Sequence, residues 1–189
     1  MTADRSVPTP DRTVALVGLM GAGKSAIGRR LAQRLGLPFV DADVEIETAA
    51  ACTIEEFFER YGEAQFRAGE RRVIKRLLDG PPVVLATGGG AFMDPQTRSL
   101  MRQRAVTVWL RAELAVLLER VGRRTNRPLL KRDDPQAVLQ RLIAVRYPVY
   151  AEADITVDSR DAPADRTTDD VVAALARFLD APAPAGAAS

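Results

Sequence analysis

Gly18-Leu19-Met20-Gly21-Ala22-Gly23-Lys24-Ser25 satisfies G-x-x-x-x-G-K-[ST] at every required position, the spacing that cradles the phosphates of a nucleoside triphosphate. The glycines let the backbone turn so that N–H groups around Gly21, Ala22 and Gly23 converge on phosphate oxygens. Lys24 adds a point charge, and Ser25 offers a hydroxyl to Mg²⁺. Three more groups downstream could do chemistry. Of Asp41 and Asp43, one carboxylate could hold a Mg²⁺-bound water while the other accepts the proton of a hydroxyl receiving a phosphoryl group. Asp43 as a plain cap for a helix over residues 44–47 is the other reading. Glu63, Arg67 and Glu70 fall at i, i+4 and i+7 of a helix, which is either a solvated face or an arginine fork held ready for a carboxylate. In Thr87-Gly88-Gly89-Gly90, three successive glycines let another group approach the backbone closely.

The elements around these residues fix where they would meet. Residues 12–17 read as a short buried strand and residues 26–35 as a helix, so phosphate would sit at a helix N-terminus. Gly36 is a C-cap, and residues 37–40 lead into a second strand whose C-terminal end, over 41–43, projects both aspartates to one side. In an open parallel sheet that edge carries the binding crevice. Thr53-Ile54-Glu55-Glu56 is a capping box opening a short helix that breaks at Gly62; a longer helix follows, with Phe66, Val73 and Leu77 on its apolar side. Residues 81–86 form a continuous apolar strand that delivers Thr87 and the glycines into the crevice. Asp94-Pro95 starts a helix to residue 103. A strand over 106–110 carries Trp109, expected to be buried and not placed near the site by the sequence, and a helix spans 112–121. The basic run Arg120, Arg123, Arg124, Arg127, Lys131 and Arg132, interrupted by Pro128, reads as a lid rather than a nucleic-acid arm, because it is short, lacks interleaved aromatics and lies between helices. A helix from Asp134-Pro135 reaches Tyr150, and Pro148 should bend or end it. Residues 155–157 make a last strand, and Thr168-Asp169-Asp170 caps a last helix through Phe178. Alternating strands and helices with a phosphate loop after the first strand imply a three-layer α/β/α fold on a five-stranded parallel sheet.

At 189 residues with a formal charge of +2, the chain suits one domain and carries too little net charge to argue for nucleic acid. Only Lys24, Lys75 and Lys131 are lysines, so the loop lysine is no by-product of lysine richness. Cys52 is alone, and no apolar run approaches a membrane span, which together with the absence of a secretory h-region gives an expected cytoplasmic protein. Residues 1–10 read as a disordered lead and the low-complexity stretch 181–189 as a disordered tail, leaving a folded part over 11–180.

A phosphate loop alone does not choose between a transferase and a switch. A guanine-nucleotide switch would need Asn-Lys-x-Asp and an Asp-x-x-Gly after the third strand; the sole asparagine is Asn126, followed by Arg127, and the strand ending at Ala86 leads to glycines. A helicase or transporter ATPase would need a larger chain. A small-molecule kinase remains.

Here the chain resembles the shikimate kinases, from about residue 13 to residue 157. The resemblance runs in order through the phosphate loop, Phe39-Val40-Asp41-Ala42-Asp43, Gly62-Glu63-Ala64-Gln65-Phe66-Arg67-Ala68-Gly69-Glu70, Ala86-Thr87-Gly88-Gly89-Gly90-Ala91, Arg127-Pro128-Leu129-Leu130 and Arg146-Tyr147-Pro148-Val149-Tyr150. It implies phosphorylation of the shikimate 3-hydroxyl by ATP with Mg²⁺, by a P-loop kinase fold with a substrate-binding lobe over about 42–70 and a lid over about 122–134. Asp43 would contact the reacting hydroxyl and act as base, Ser25 would bind Mg²⁺ directly, and Asp41 would do so through water. Arg67 and Arg146 would grip the carboxylate while Gly88, Gly89 and Gly90 bring backbone against the ring. Arg127 would close from the lid onto the phosphates, and Arg120 would stack on adenine. Arg160 and Pro163 would touch the nucleotide, although their loop aligns poorly with the family. Ala26 departs from the family's usual threonine, so one α-phosphate contact is expected to be missing. A monomer binding ATP and shikimate, with no nucleic-acid or membrane partner, is the expectation. A gluconate kinase and a catalytically silent nucleotide-binding regulator are the alternatives.

Overall fold

Short apolar runs become five parallel strands in the computed structural model, which describes residues 10–123 and 134–181. In chain order the elements are β1 (Thr13–Val17), α1 (Lys24–Leu35), β2 (Phe39–Asp41), α2 (Ala42–Ala50), α3 (Ile54–Leu78), β3 (Val84–Ala86), a 3₁₀ turn (Ala91–Met93), α4 (Pro95–Arg104), β4 (Ala105–Arg111), α5 (Leu114–Gly122), α6 (Pro135–Tyr150), β5 (Ile155–Asp158) and α7 (Ala164–Asp180). The sheet order is β2-β3-β1-β4-β5, every pair parallel. Residues 14–17 of the central strand are at most 1% exposed, as a strand covered on both faces requires.

Crossover handedness sets the layers. The chain steps from β1 outward to β2 and thereafter in the opposite direction, to β3, β4 and β5. With right-handed crossovers, α1 therefore lies on one face and α2 to α6 on the other. After β5, α7 returns to pack on α1, while α3 meets α4 and α5 meets α6. The connections after neighbouring strands β1 and β3 leave in opposite directions, which opens a crevice between them at the C-terminal edge of the sheet. The phosphate loop and the glycine run are those two connections. Between α2 and α3 a small separate apolar cluster of Ile46, Phe66 and Val73 is flanked by Ile54, Phe57 and Phe58.

Local expectations are met at several boundaries. Gly36 caps α1 in the left-handed region with φ 65°, and Thr53 and Glu56 form a reciprocal capping box. Gly62, at φ 75° and ψ 173°, interrupts α3, and Asp94 caps α4 ahead of Pro95. Others are corrected. The second strand stops at Asp41, so Asp43 stands on the first turn of α2, and it is Asp41 that caps this helix by accepting from the Asp43 amide at 3.2 Å. β3 is confined to Val84–Ala86 rather than residues 81–86. Pro148 does not end α6, which continues to Tyr150; so near the end, its missing N–H and ring disturb only the last turn. The final helix begins at Ala164, directly after Pro163, and not at the Thr168 motif. The Thr168 hydroxyl instead donates back to the Ala164 carbonyl inside the helix, a local bond that competes with capping.

Candidate active site

The crevice is a cleft of about 570 Å³ with phosphate-loop residues at one end and the glycine run at the other. At the loop, Gly23 precedes α1 with φ 95°, left-handed backbone with no side-chain cap, and a helix N-terminus suits an anion. Gly18 sits against the Leu110 carbonyl, which a Cβ would meet at 2.8 Å. Lys24 folds over the loop, donating to the carbonyls of Gly18 at 2.8 Å and Leu19 at 3.0 Å. This places its ammonium at the loop itself, where phosphate oxygens would arrive.

Ser25 donates to Asp41 Oδ2 at 2.9 Å. The same carboxylate that caps α2 thus ties the start of α1 to the end of β2. One hydroxyl and one carboxylate oxygen, both hard donors, suit Mg²⁺, which keeps several waters and takes substrate phosphates as further ligands. Among the described residues no group of three or more His, Cys, Asp or Glu is placed to hold a metal ion.

The three glycines after β3 each stand against one functional side chain. A Cβ on Gly88 would lie 2.8 Å from Asp43 Oδ1, and one on Gly89 would lie 3.1 Å from Arg146 Nη1. On Gly90 it would lie 2.7 Å from Arg67 Cζ and closer still to a guanidinium nitrogen. None of the three has a positive φ, so space and not backbone conformation demands glycine here. The residues expected to receive and orient an acceptor are thereby gathered onto one wall.

Arg67 is held for this from behind. Its Nη1 donates to Glu70 Oε2 at 2.6 Å and its Nη2 lies 3.5 Å from Glu63 Oε1. Glu70 is the group that sequence reasoning left as one member of a stripe. Its side chain is 2% exposed, and burial pushes its carboxyl above the ordinary value, with the Arg67 hydrogen bond and charge opposing and the charges of Asp43 and Asp94 adding to the rise. A signal was present: Glu70 falls four residues after Phe66 and three before Val73, on the very stripe read as apolar, and a carboxylate placed there needs a partner.

At the nucleotide end, Arg120 does not extend into open space. It donates to Ser159 Oγ at 2.8 Å, to the Gly21 carbonyl at 3.3 Å and to the Arg160 carbonyl. Buried Ser159 in turn donates to the Ala22 carbonyl at 2.8 Å. Ser159, which the sequence did not single out, therefore links the phosphate loop to the connection between β5 and α7. Arg160 contributes its carbonyl to this link; its side chain is exposed and not part of the cleft lining. Pro163 is the residue before α7, whose first turns bring Ala164 and buried Thr167 to the cleft alongside Ala26. Arg127 and nearly all of the expected lid lie outside the described residues. Trp109 is buried as expected, its ring centroid 6.0 Å from that of Tyr150, which lies against Gly89.

The profile of the family described as shikimate kinase matches residues 20–176. A shikimate kinase of Rhodopseudomonas palustris is 61% identical over 174 residues, 92% of this chain and 86% of its own. A solved structure of the shikimate kinase from Acinetobacter baumannii in complex with shikimate is 37% identical, with a TM-score of 0.83 over 91% of this chain and 97% of its own. A gluconokinase structure from Sinorhizobium meliloti, at 21% identity and TM-score 0.60 over 89% of this chain and 93% of its own, shares the fold alone.

Proposed function

The chain belongs to the shikimate kinase family, and from that premise we propose how its own residues carry the reaction. It is an ATP-dependent kinase that phosphorylates shikimate, giving shikimate 3-phosphate and ADP. The observation that carries the assignment of roles is the glycine run, where one residue apiece makes room for Asp43, Arg146 and Arg67.

In this reading Arg67 and Arg146 bind the acceptor's carboxylate from two sides. Two charge-assisted contacts fix an orientation as well as a position. Glu70 keeps the Arg67 guanidinium from swinging out toward water, supported by its 2.6 Å contact. Asp43 receives the proton of the reacting hydroxyl as the new O–P bond forms and the γ-phosphoryl leaves ADP. Lys24, the amides at the start of α1 and Arg127 stabilise charge spreading over the transferring group, where a loose transition state gathers it. Mg²⁺, held by Ser25 and through water by Asp41, would draw charge from the same phosphates when bound. Arg120 and the segment from Ser159 to Pro163 frame the base.

The lobe over 42–70 and the lid over 122–134 are part of this proposal, as are a monomeric state and a cytoplasmic location. Among the described residues no helix is long and apolar enough to cross a membrane. The test is ATP consumption coupled to product identification, with shikimate, gluconate and nucleoside monophosphates offered separately. ADP formation dependent on shikimate alone is expected; its absence with shikimate would overturn the reading.

A further inference from the structure

Tyr150 is 0% exposed and closes α6 one turn after Arg146. Residues four apart share a helix face, and here both reach the same glycine. The Tyr150 hydroxyl donates to the Gly89 carbonyl, and the positive charge of Arg146 acts on that hydroxyl. The Gly89 Cβ direction points at both, with Arg146 Nη1 at 3.1 Å and Tyr150 Oη at 3.7 Å. Trp109, at 6.0 Å between ring centroids, and Tyr147, at 6.3 Å, flank the ring of Tyr150. A phenol so enclosed has one aim for its hydroxyl, and burial pushes its ionisation up, against the opposing charge of Arg146, so it stays a donor. Neighbouring Tyr147 spends its hydroxyl elsewhere, on the Ala112 carbonyl.

We propose that Tyr150 is a positioning residue for the phosphoryl acceptor: its hydroxyl locks the glycine run and the Arg146 guanidinium into one relative geometry, so that acceptor binding meets a preset arginine. This rests on the reading of Arg146 as a carboxylate ligand. A group held before binding spares the complex the cost of ordering it, so the lock acts on acceptor affinity and leaves the nucleotide half untouched.

Tyr150→Phe keeps the ring and removes only the hydroxyl. The expected result is a rise of about three- to tenfold in the KM for shikimate, the range of one net hydrogen bond, with the KM for ATP essentially unchanged and the thermal midpoint lowered by no more than a few degrees. Tyr147→Phe, which loses a hydroxyl one turn away, should leave the shikimate KM alone. In an Arg146→Ala background, Tyr150→Phe should add no further rise, because its action passes through that arginine. An unchanged shikimate KM, equal rises for both substrates, an additive effect in the Arg146→Ala background, or a chain that no longer folds at assay temperature would each overturn the proposal. If Arg146→Ala by itself leaves the shikimate KM unmoved, the reading of the cleft fails as well; if it raises that KM and Tyr150→Phe does not, only the positioning role falls.

Discussion

Replacing Gly90 with alanine should separate acceptor binding from catalysis. The added methyl carbon would stand 2.7 Å from Arg67 Cζ and closer still to a guanidinium nitrogen, so to restore an ordinary 3.4 Å contact the guanidinium must retreat by at least about 0.7 Å. It is not free to retreat cheaply, since its Nη1 is held at 2.6 Å by a buried carboxylate. A displacement of about 1 Å in a positioning group costs up to about 10²-fold, so the KM for shikimate is expected to rise by roughly 10- to 100-fold while the KM for ATP stays within about twofold. Gly88→Ala is the counterpart: its methyl carbon would stand 2.8 Å from Asp43 Oδ1, so the loss should appear in kcat and resemble that of Asp43→Asn. Steady-state kinetics with each substrate varied against saturating partner, and nucleotide binding by calorimetry, read both. The reasoning fails if Gly90→Ala leaves the shikimate KM within about twofold of the parent, or if the two alanine variants lose KM and kcat in the same pattern.

Two further outcomes follow from the buried polar groups. Ser159→Ala removes the 2.8 Å donor to the Ala22 carbonyl and the acceptor for Arg120, so the KM for ATP should rise about three- to tenfold with the shikimate KM unchanged; equal changes in both would refute a link confined to the nucleotide end. Burial already holds the Glu70 carboxyl above its ordinary value with Arg67 opposing. Arg67→Ala removes that opposition and pushes the value higher. A carboxyl raised on folding favours the folded state at low pH and loses that advantage as pH rises through its folded-state value. The stability of Arg67→Ala should therefore fall further below the parent's as pH rises above the ordinary carboxylate range toward neutrality, by up to about 1.4 kcal/mol per pH unit. A gap that does not change with pH would show that Glu70 is not the group responsible.

Features written in consecutive residues were legible. The phosphate loop, the Thr53 capping box, the Gly36 cap, the break at Gly62 and the alternation that gives the sheet each depend on local chemistry, and each stands where the sequence puts it. What failed depends on choices between equivalent local options. Asp41 and Asp43 can each cap a helix, and only the point where β2 ends, at its pairing with Ala86 of β3, decides which does. Thr168-Asp169-Asp170 is as good a cap motif as many, but Pro163 starts the helix earlier. Pairings across the fold were out of reach altogether. The glycine run reads as permission for a close approach, yet that the approaching groups are the protein's own Asp43, Arg146 and Arg67 follows from how α2, α3 and α6 meet one loop. Ser159 and Tyr150 act on carbonyls 137 and 61 residues away, and no periodicity announces such partners.

Adjacent positions on α3 serve two masters: Phe66 belongs to the small apolar cluster with Ile46 and Val73, while Arg67 faces the glycine run. Neighbouring residues on a helix share one backbone, so the cluster acts as the arginine's foundation. Looser packing among Ile46, Phe66 and Val73 would let the helix rock, and the arginine would wander with it. In a screen scored by activity at limiting acceptor, changes at Ile46 or Val73 would masquerade as binding-site changes, although neither side chain lines the cleft.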